Sequence, residues 1–117
     1  WYLTLHDFLL QQNFVRSDYE YCLYIRRNPS TDEETMIAVY VDDLVISSSN
    51  PSIVSDLKRS FVSRFKITDL GPLNLILGIK VVRDRRNKCF FLSQASFAKV
   101  AITKFGLDFL LQLFALP

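Results

Sequence analysis

Met36-Ile37-Ala38-Val39-Tyr40-Val41-Asp42-Asp43-Leu44-Val45-Ile46 sets two short apolar runs on either side of adjacent aspartates. Each run is rich in β-branched residues and too short for a typical helix, and Asp-Asp is chemistry that a tight turn accepts. The stretch predicts a β-hairpin with both carboxylates at its tip. Burial of two unpartnered charges would be heavily penalised, so both side chains are expected on the open face of the sheet. Adjacent carboxylates on a rigid support can bind a hard divalent cation, Mg²⁺ or Mn²⁺, which takes one or two carboxylates together with waters and substrate phosphates. Phosphoryl-transfer chemistry needs such a site. A solvated turn is the plainer alternative for Asp42 and Asp43 taken as a dipeptide.

Working outward, residues 18–27 place Tyr19, Tyr21, Leu23 and Ile25 in alternation, a strand pattern expected to pair antiparallel with residues 35–41. Cys22 lies in that run and Cys89 in another apolar run, which predicts two reduced core thiols. Residues 28–34 form a polar, turn-rich loop, and residues 2–12 read as a helix with Asn13 as its left-handed stop. His6 reads as a helix residue and Asp18 as a turn or capping residue. With one histidine in the chain, a His-based nucleophilic site has little to work with. On the other side of the hairpin, Asn50-Pro51 predicts an N-cap and first helical position. Ile53, Val54, Leu57, Phe61, Val62 and Phe65 then form one apolar stripe. Lys58, Arg59, Arg64 and Lys66 lie outside it, as a solvated face or as phosphate contacts.

Gly71-Pro72 interrupts the chain before an apolar run from Leu73 to Val82, in which Gly78 suggests a bulge or a close backbone approach. Taken alone, Arg83–Lys88 and Cys89–Leu92 after it read as an ordinary hairpin with an exposed charged turn. Ser93 is expected to cap a last helix carrying Phe97, Val100, Ala101 and Phe105 on one face and stopping at Gly106. The run 107–117 is almost wholly apolar, a surface for self-association if left exposed. At 117 residues, 50% hydrophobic and 14% aromatic, the chain can bury a core. Its net charge of +2 is too weak to argue for or against a nucleic-acid partner. No apolar run approaches the ~20 residues that span a bilayer, and no leader is evident, so a cytosolic-type compartment without membrane contact is expected.

Tyr-x-Asp-Asp should arise by chance in about one chain in a hundred of this length. Tyr40-Val41-Asp42-Asp43 resembles the catalytic hairpin in the palm of reverse transcriptases. Asp69-Leu70-Gly71-Pro72, Leu77-Gly78-Ile79, Leu92-Ser93-Gln94 and Lys104-Phe105-Gly106 follow in the order seen in enzymes of copia-type LTR retrotransposons. The resemblance implies an α+β fold: an antiparallel sheet with the Tyr-Val-Asp-Asp hairpin packed on helices, a partial palm and early thumb over 1–106, and a divergent tail over 107–117. It implies RNA-directed DNA synthesis in the parent polyprotein with Mg²⁺ or Mn²⁺, a template-primer and dNTP, inside a cytoplasmic virus-like particle. By the same resemblance, Asp42 is the main metal ligand and Asp43 its neighbour. Tyr40 and Val41 face the primer terminus and substrate, and Leu77, Gly78 and Ile79 sit in a primer-grip-like hairpin, with Arg83–Lys88 as its basic turn and Cys89–Leu92 as its return strand. Trp1-Tyr2 resembles the end of a substrate-site motif, and a third aspartate is expected from a strand before Trp1. Two other readings stand beside the polymerase: a non-catalytic remnant of a decayed element, and a weak metal- or nucleic-acid-binding module using Asp42, Asp43 and the basic turn.

Overall fold

Leu5 and Leu9 lie one helical turn apart, Leu57 and Phe61 repeat that spacing, and Ile37 and Val39 alternate along a strand. These six side chains, with Phe14 and Tyr24, form one buried cluster. The structure is a computed structural model that describes residues 1–107 and 109. The chain divides into two compact units, Trp1–Asp69 and a second beginning at Leu70. At the coarse level the fold is α+β, with antiparallel sheets and three helices among the described residues.

In the first unit, α1 (Tyr2–Gln11) precedes β1 (Val15–Arg16), β2 (Leu23–Arg27), β3 (Glu34–Tyr40) and β4 (Asp43–Ser48), and α2 (Pro51–Arg64) follows. The strands form an antiparallel sheet in the order β1-β2-β3-β4. Asn13 ends the α1 region with φ +62, a left-handed conformation that asparagine tolerates better than most side chains. At the start of α2, the Asn50 side chain accepts the Ser52 N–H at 3.0 Å and Pro51 fills the first helical position, where its missing N–H costs nothing. Thr35, Ile37 and Val39 of β3 are buried while Ala38 and Tyr40 are exposed, the period-two pattern of a sheet with one covered face. Leu5 and Leu9 of α1 and Leu57 and Phe61 of α2 cover that face. Phe8 adds ring contacts to Phe61 and Phe65, with centroids 5.3 and 5.2 Å apart. Full burial of each such side chain contributes roughly 1.5–3 kcal/mol.

Three sequence expectations fail here for local reasons. The strand expected from Asp18 begins only at Leu23, because Ser17 Oγ accepts the N–H groups of Tyr19 and Glu20 and the Glu20 carboxylate accepts that of Cys22. Side chains thus satisfy the backbone that a strand would have used. Tyr19 is fully exposed as a result, and Cys22 is an exposed free thiol, not a core one. Val62 also lies outside the core, so the apolar stripe of α2 is narrower than its sequence pattern.

In the second unit, β5 (Leu75–Ile76), β6 (Ile79–Asp84) and β7 (Cys89–Ser93) form an antiparallel sheet, followed by α3 (Ala95–Lys104). Ile76 pairs with Ile79, so the apolar run 73–82 is two strands joined by a two-residue turn. Leu77 and Gly78 take φ +51 and +75, and positive φ at both central positions is the type I′ hairpin pattern. Gly78 therefore serves a turn and not the expected bulge. Ser93 closes β7, and Gln94 occupies the cap position of α3, although Ser93 Oγ still accepts the Ala95 N–H. Gly106, with φ +67, ends that helix region. Phe97 and Val100 are exposed, so the described residues do not bury the expected apolar face of α3. The tail reading at 107–117 lies, apart from Leu107 and Phe109, outside the described residues. Among the described residues no helix is long and apolar enough to cross a membrane.

Candidate functional site

The register of β3 and β4 pairs Tyr40 with Asp43 and leaves Val41 and Asp42 as a two-residue loop. Opposed residues in an antiparallel pair share a face. Val39 points into the core, so Tyr40, and Asp43 with it, lies on the uncovered face. Asp42 and Asp43 are both exposed, and Tyr40 and Val41 are exposed beside them. Neither aspartate takes part in an ion pair among the described residues.

Val41 has φ +52, positive at the first central position of the turn, where glycine is usual. For a β-branched residue this is a strained conformation, worth about 1–3 kcal/mol, and it persists only if the surroundings over-determine it. Those surroundings are visible. The Trp1 indole N–H donates to the Val41 carbonyl at 3.1 Å, and the Trp1 ring meets Phe65 edge-on at 5.4 Å. The entrance of α1 and the exit of α2 are thereby tied to the aspartate turn. No sequence signal marks Trp1 for this role, since its partner lies 40 residues away.

Beside α1, Arg16 donates to the Tyr2 hydroxyl at 3.1 Å, Tyr24 donates to the same oxygen, and His6 Nδ1 lies 2.9 Å from the Tyr24 hydroxyl. The hydrogen bonds from Tyr24 and Arg16 pull the Tyr2 phenol below its ordinary value, while burial pushes that of Tyr24 up. His6, read from sequence as a plain helix residue, anchors the helix to β2 through this network.

The other candidates belong to other elements. Lys58 is held by Asp69 and Arg59 by Asp56, which leaves Arg64, the last residue of α2, and Lys66 beyond it outside those pairs. Asp18 is exposed in the bend before β2. Leu77 and Gly78 form the β5–β6 turn, with Leu77 exposed and Ile79 half-buried. Among the described residues no group of three or more His, Cys, Asp or Glu side chains could hold a metal ion. Asp42 and Asp43 fit part of a Mg²⁺ shell: hard oxygen donors, solvent-accessible, with further positions left for other ligands.

Residues 1–110 match the family model described as reverse transcriptase (RNA-dependent DNA polymerase). The chain belongs to the reverse transcriptase family. Among curated relatives, this reverse-transcriptase segment is 29% identical over 107 residues to the retrovirus-related Pol polyprotein from transposon TNT 1-94 of Nicotiana tabacum, covering 92% of this chain and 8% of the relative. It is 29% identical over 101 residues to a transposon Ty5-1 protein of Saccharomyces cerevisiae, covering 86% and 32%. A third relative, the retrovirus-related Pol polyprotein from transposon RE1 of Arabidopsis thaliana, is 29% identical over 83 residues, covering 71% and 6%. The chain thus spans less than a third of the length of each. No solved structure matches it.

Proposed function

We propose that this segment is the metal-holding part of the palm in an RNA-directed DNA polymerase of a copia-type retrotransposon. Asp42 and Asp43 are its two catalytic carboxylates, and RNA or DNA template-primer and dNTP are the partners of the whole enzyme. The observation that carries the reading is the β3–β4 turn: two adjacent, exposed carboxylates on a strained loop braced by Trp1, in a chain of the reverse transcriptase family. Strained backbone held by its surroundings is a recurrent feature of functional sites.

Each residue has a part in this proposal. Asp42, in the loop, and Asp43, at the first position of β4, supply anionic oxygens from a turn braced by Trp1. The Trp1 hydrogen bond restrains the Val41 carbonyl and hence the peptide entering Asp42. Tyr40, opposite Asp43, offers an exposed ring for the primer terminus, and Leu77, Gly78 and Ile79 would hold the primer strand. Mg²⁺, when bound, would supply Lewis-acid stabilisation of the charge that develops in phosphoryl transfer. Two carboxylates make half a cage for two ions, so the remaining ligands come from parts of the enzyme beyond this segment.

The test is a chimera in which residues 1–107 replace the matching segment of the Nicotiana tabacum Pol polyprotein, assayed for primer extension on an RNA template. The chimera is expected to extend, and Asp42→Asn to lower extension by at least about a hundredfold, as loss of a charge-stabilising group does. A chimera that extends equally well with and without the Asp42→Asn substitution would overturn the proposal.

A further inference from the structure

The chain carries a net charge of +2, yet residues 83–88 alone hold Arg83, Arg85, Arg86 and Lys88 against one carboxylate, Asp84. Four cations less one anion give +3, so the remainder of the chain is net −1 and the β6–β7 turn holds more positive charge than the whole molecule. Asp84 does not neutralise its neighbours through ion pairs. One of its oxygens accepts the Asn87 backbone N–H at 3.0 Å and the other the Asn87 side-chain amide at 2.7 Å, bonds that stiffen the loop and hold the carboxyl below its usual range. None of the four cations is ion-paired among the described residues, and Arg85, Arg86 and Lys88 are exposed. Arg83 is fixed differently, its guanidinium lying over the Phe90 ring 5.2 Å from the centroid, within cation–π reach. The turn borders a concavity of about 240 Å³, lined by Arg83, Arg85, Lys88, Cys89 and Phe90 together with the carboxylate of Asp84.

We infer that the Arg83–Lys88 turn is a second nucleic-acid contact of this segment, a sequence-independent site for the sugar-phosphate backbone, distinct from the primer-grip-like turn at Leu77-Gly78. The two turns stand at opposite ends of β6, a six-residue strand and hence roughly 20 Å long. The far end of the hairpin therefore offers phosphate-binding guanidinium groups where the near end offers Leu77 and Gly78. Guanidinium forks match phosphate oxygens bidentately, and Arg supplies three of the four cations. An anionic membrane would also attract the charge, with Phe90 and Phe91 exposed beside the turn, and is kept as an opposing outcome of the test. The choice of nucleic acid as ligand rests on the polymerase reading above.

The experiment measures binding of the full chain to a short fluorescein-labelled RNA·DNA duplex by anisotropy across a salt series, without divalent metal. Arg85→Gln, Arg86→Gln, Lys88→Gln is compared with Arg27→Gln, Lys99→Gln, Lys104→Gln, which removes the same formal charge at exposed positions given no phosphate role. The turn variant is expected to bind at least tenfold more weakly, with a salt slope shallower by about 2–3, near one for each phosphate no longer neutralised. The second variant should stay within about threefold of wild type. Equal losses in both variants, retention in the turn variant, absence of duplex binding by the wild type, or preferential binding to phosphatidylserine vesicles over the duplex would each overturn the inference. Circular dichroism of both variants establishes that the fold is retained. Since no extension is measured, failure of the polymerase reading shows separately, in the chimera assay.

Discussion

At the scale of single residues, a valine stands where the backbone asks for glycine. Val41 is 70% exposed, so truncating its side chain forfeits little burial, while its φ of +52 carries strain. Strain of about 1–3 kcal/mol, less glycine's own entropic cost of about 0.5–1, makes Val41→Gly stabilising by about 1 kcal/mol. A urea midpoint that rises in Val41→Gly bears this out; an unchanged or lowered midpoint means that the turn is not strained. The two aspartates could be picked out from sequence because charge between apolar runs has few places to go. Trp1 could not, because its contact with Val41 exists only once α1 and β3 have been brought together by the core between them.

At the scale of elements, the sequence is legible where the outcome is decided within one turn of chain. Asn50-Pro51 opens α2, Asn13 ends α1 and Gly106 ends α3, since capping depends on groups two or three residues apart. Asn50→Ala should therefore cost about 1 kcal/mol of stability, measured by urea unfolding, and a cost near zero would show the cap to be ornamental. Pattern misleads where a local hydrogen bond competes with it. Tyr19 and Tyr21 alternate like strand residues, but the Ser17 hydroxyl claims the backbone first. It misleads again at Leu77-Gly78, where an unbroken apolar run conceals a turn that shows only in backbone angles. In the β6–β7 turn, Asp84 has a folded-state pKa below its unfolded value, so its contribution to the turn is present above the ordinary aspartate value of about 3.9 and is lost as pH falls through the folded one. An NMR pH titration followed at the Asn87 amide should show a midpoint below about 3.9; a midpoint at or above it would remove the Asn87 bonds from the account.

At the scale of the whole molecule, two compact units share the chain: one buries a core of eight side chains, while in the other Val81 is the one buried residue among those described. Phe97 and Val100 of the second unit share a helix face as their spacing predicts, yet both are exposed, as are Phe90 and Phe91. Periodicity says which residues share a face but not whether anything covers it. The polymerase proposal also sets an expectation for chemistry. Two-metal phosphoryl transfer needs ligands around both ions and surfaces that align template, primer and nucleotide, an alignment worth several kcal/mol of barrier. Purified and assayed alone with Mg²⁺ on an RNA template, this chain should give no primer extension above an Asp42→Asn, Asp43→Asn control. Extension that the double mutant loses would show that a missing ligand is replaced from within, with Asp18 and Asp69 the first to test. The central claim, that Asp42 and Asp43 form a metal-holding turn, is tested most directly by amide NMR of the chain titrated with Mn²⁺, whose unpaired electrons broaden nearby resonances. Broadening should begin at residues 41–44 at millimolar-range affinity and vanish in Asp42→Asn; broadening centred on Glu33 and Glu34, or unchanged by that substitution, would contradict it.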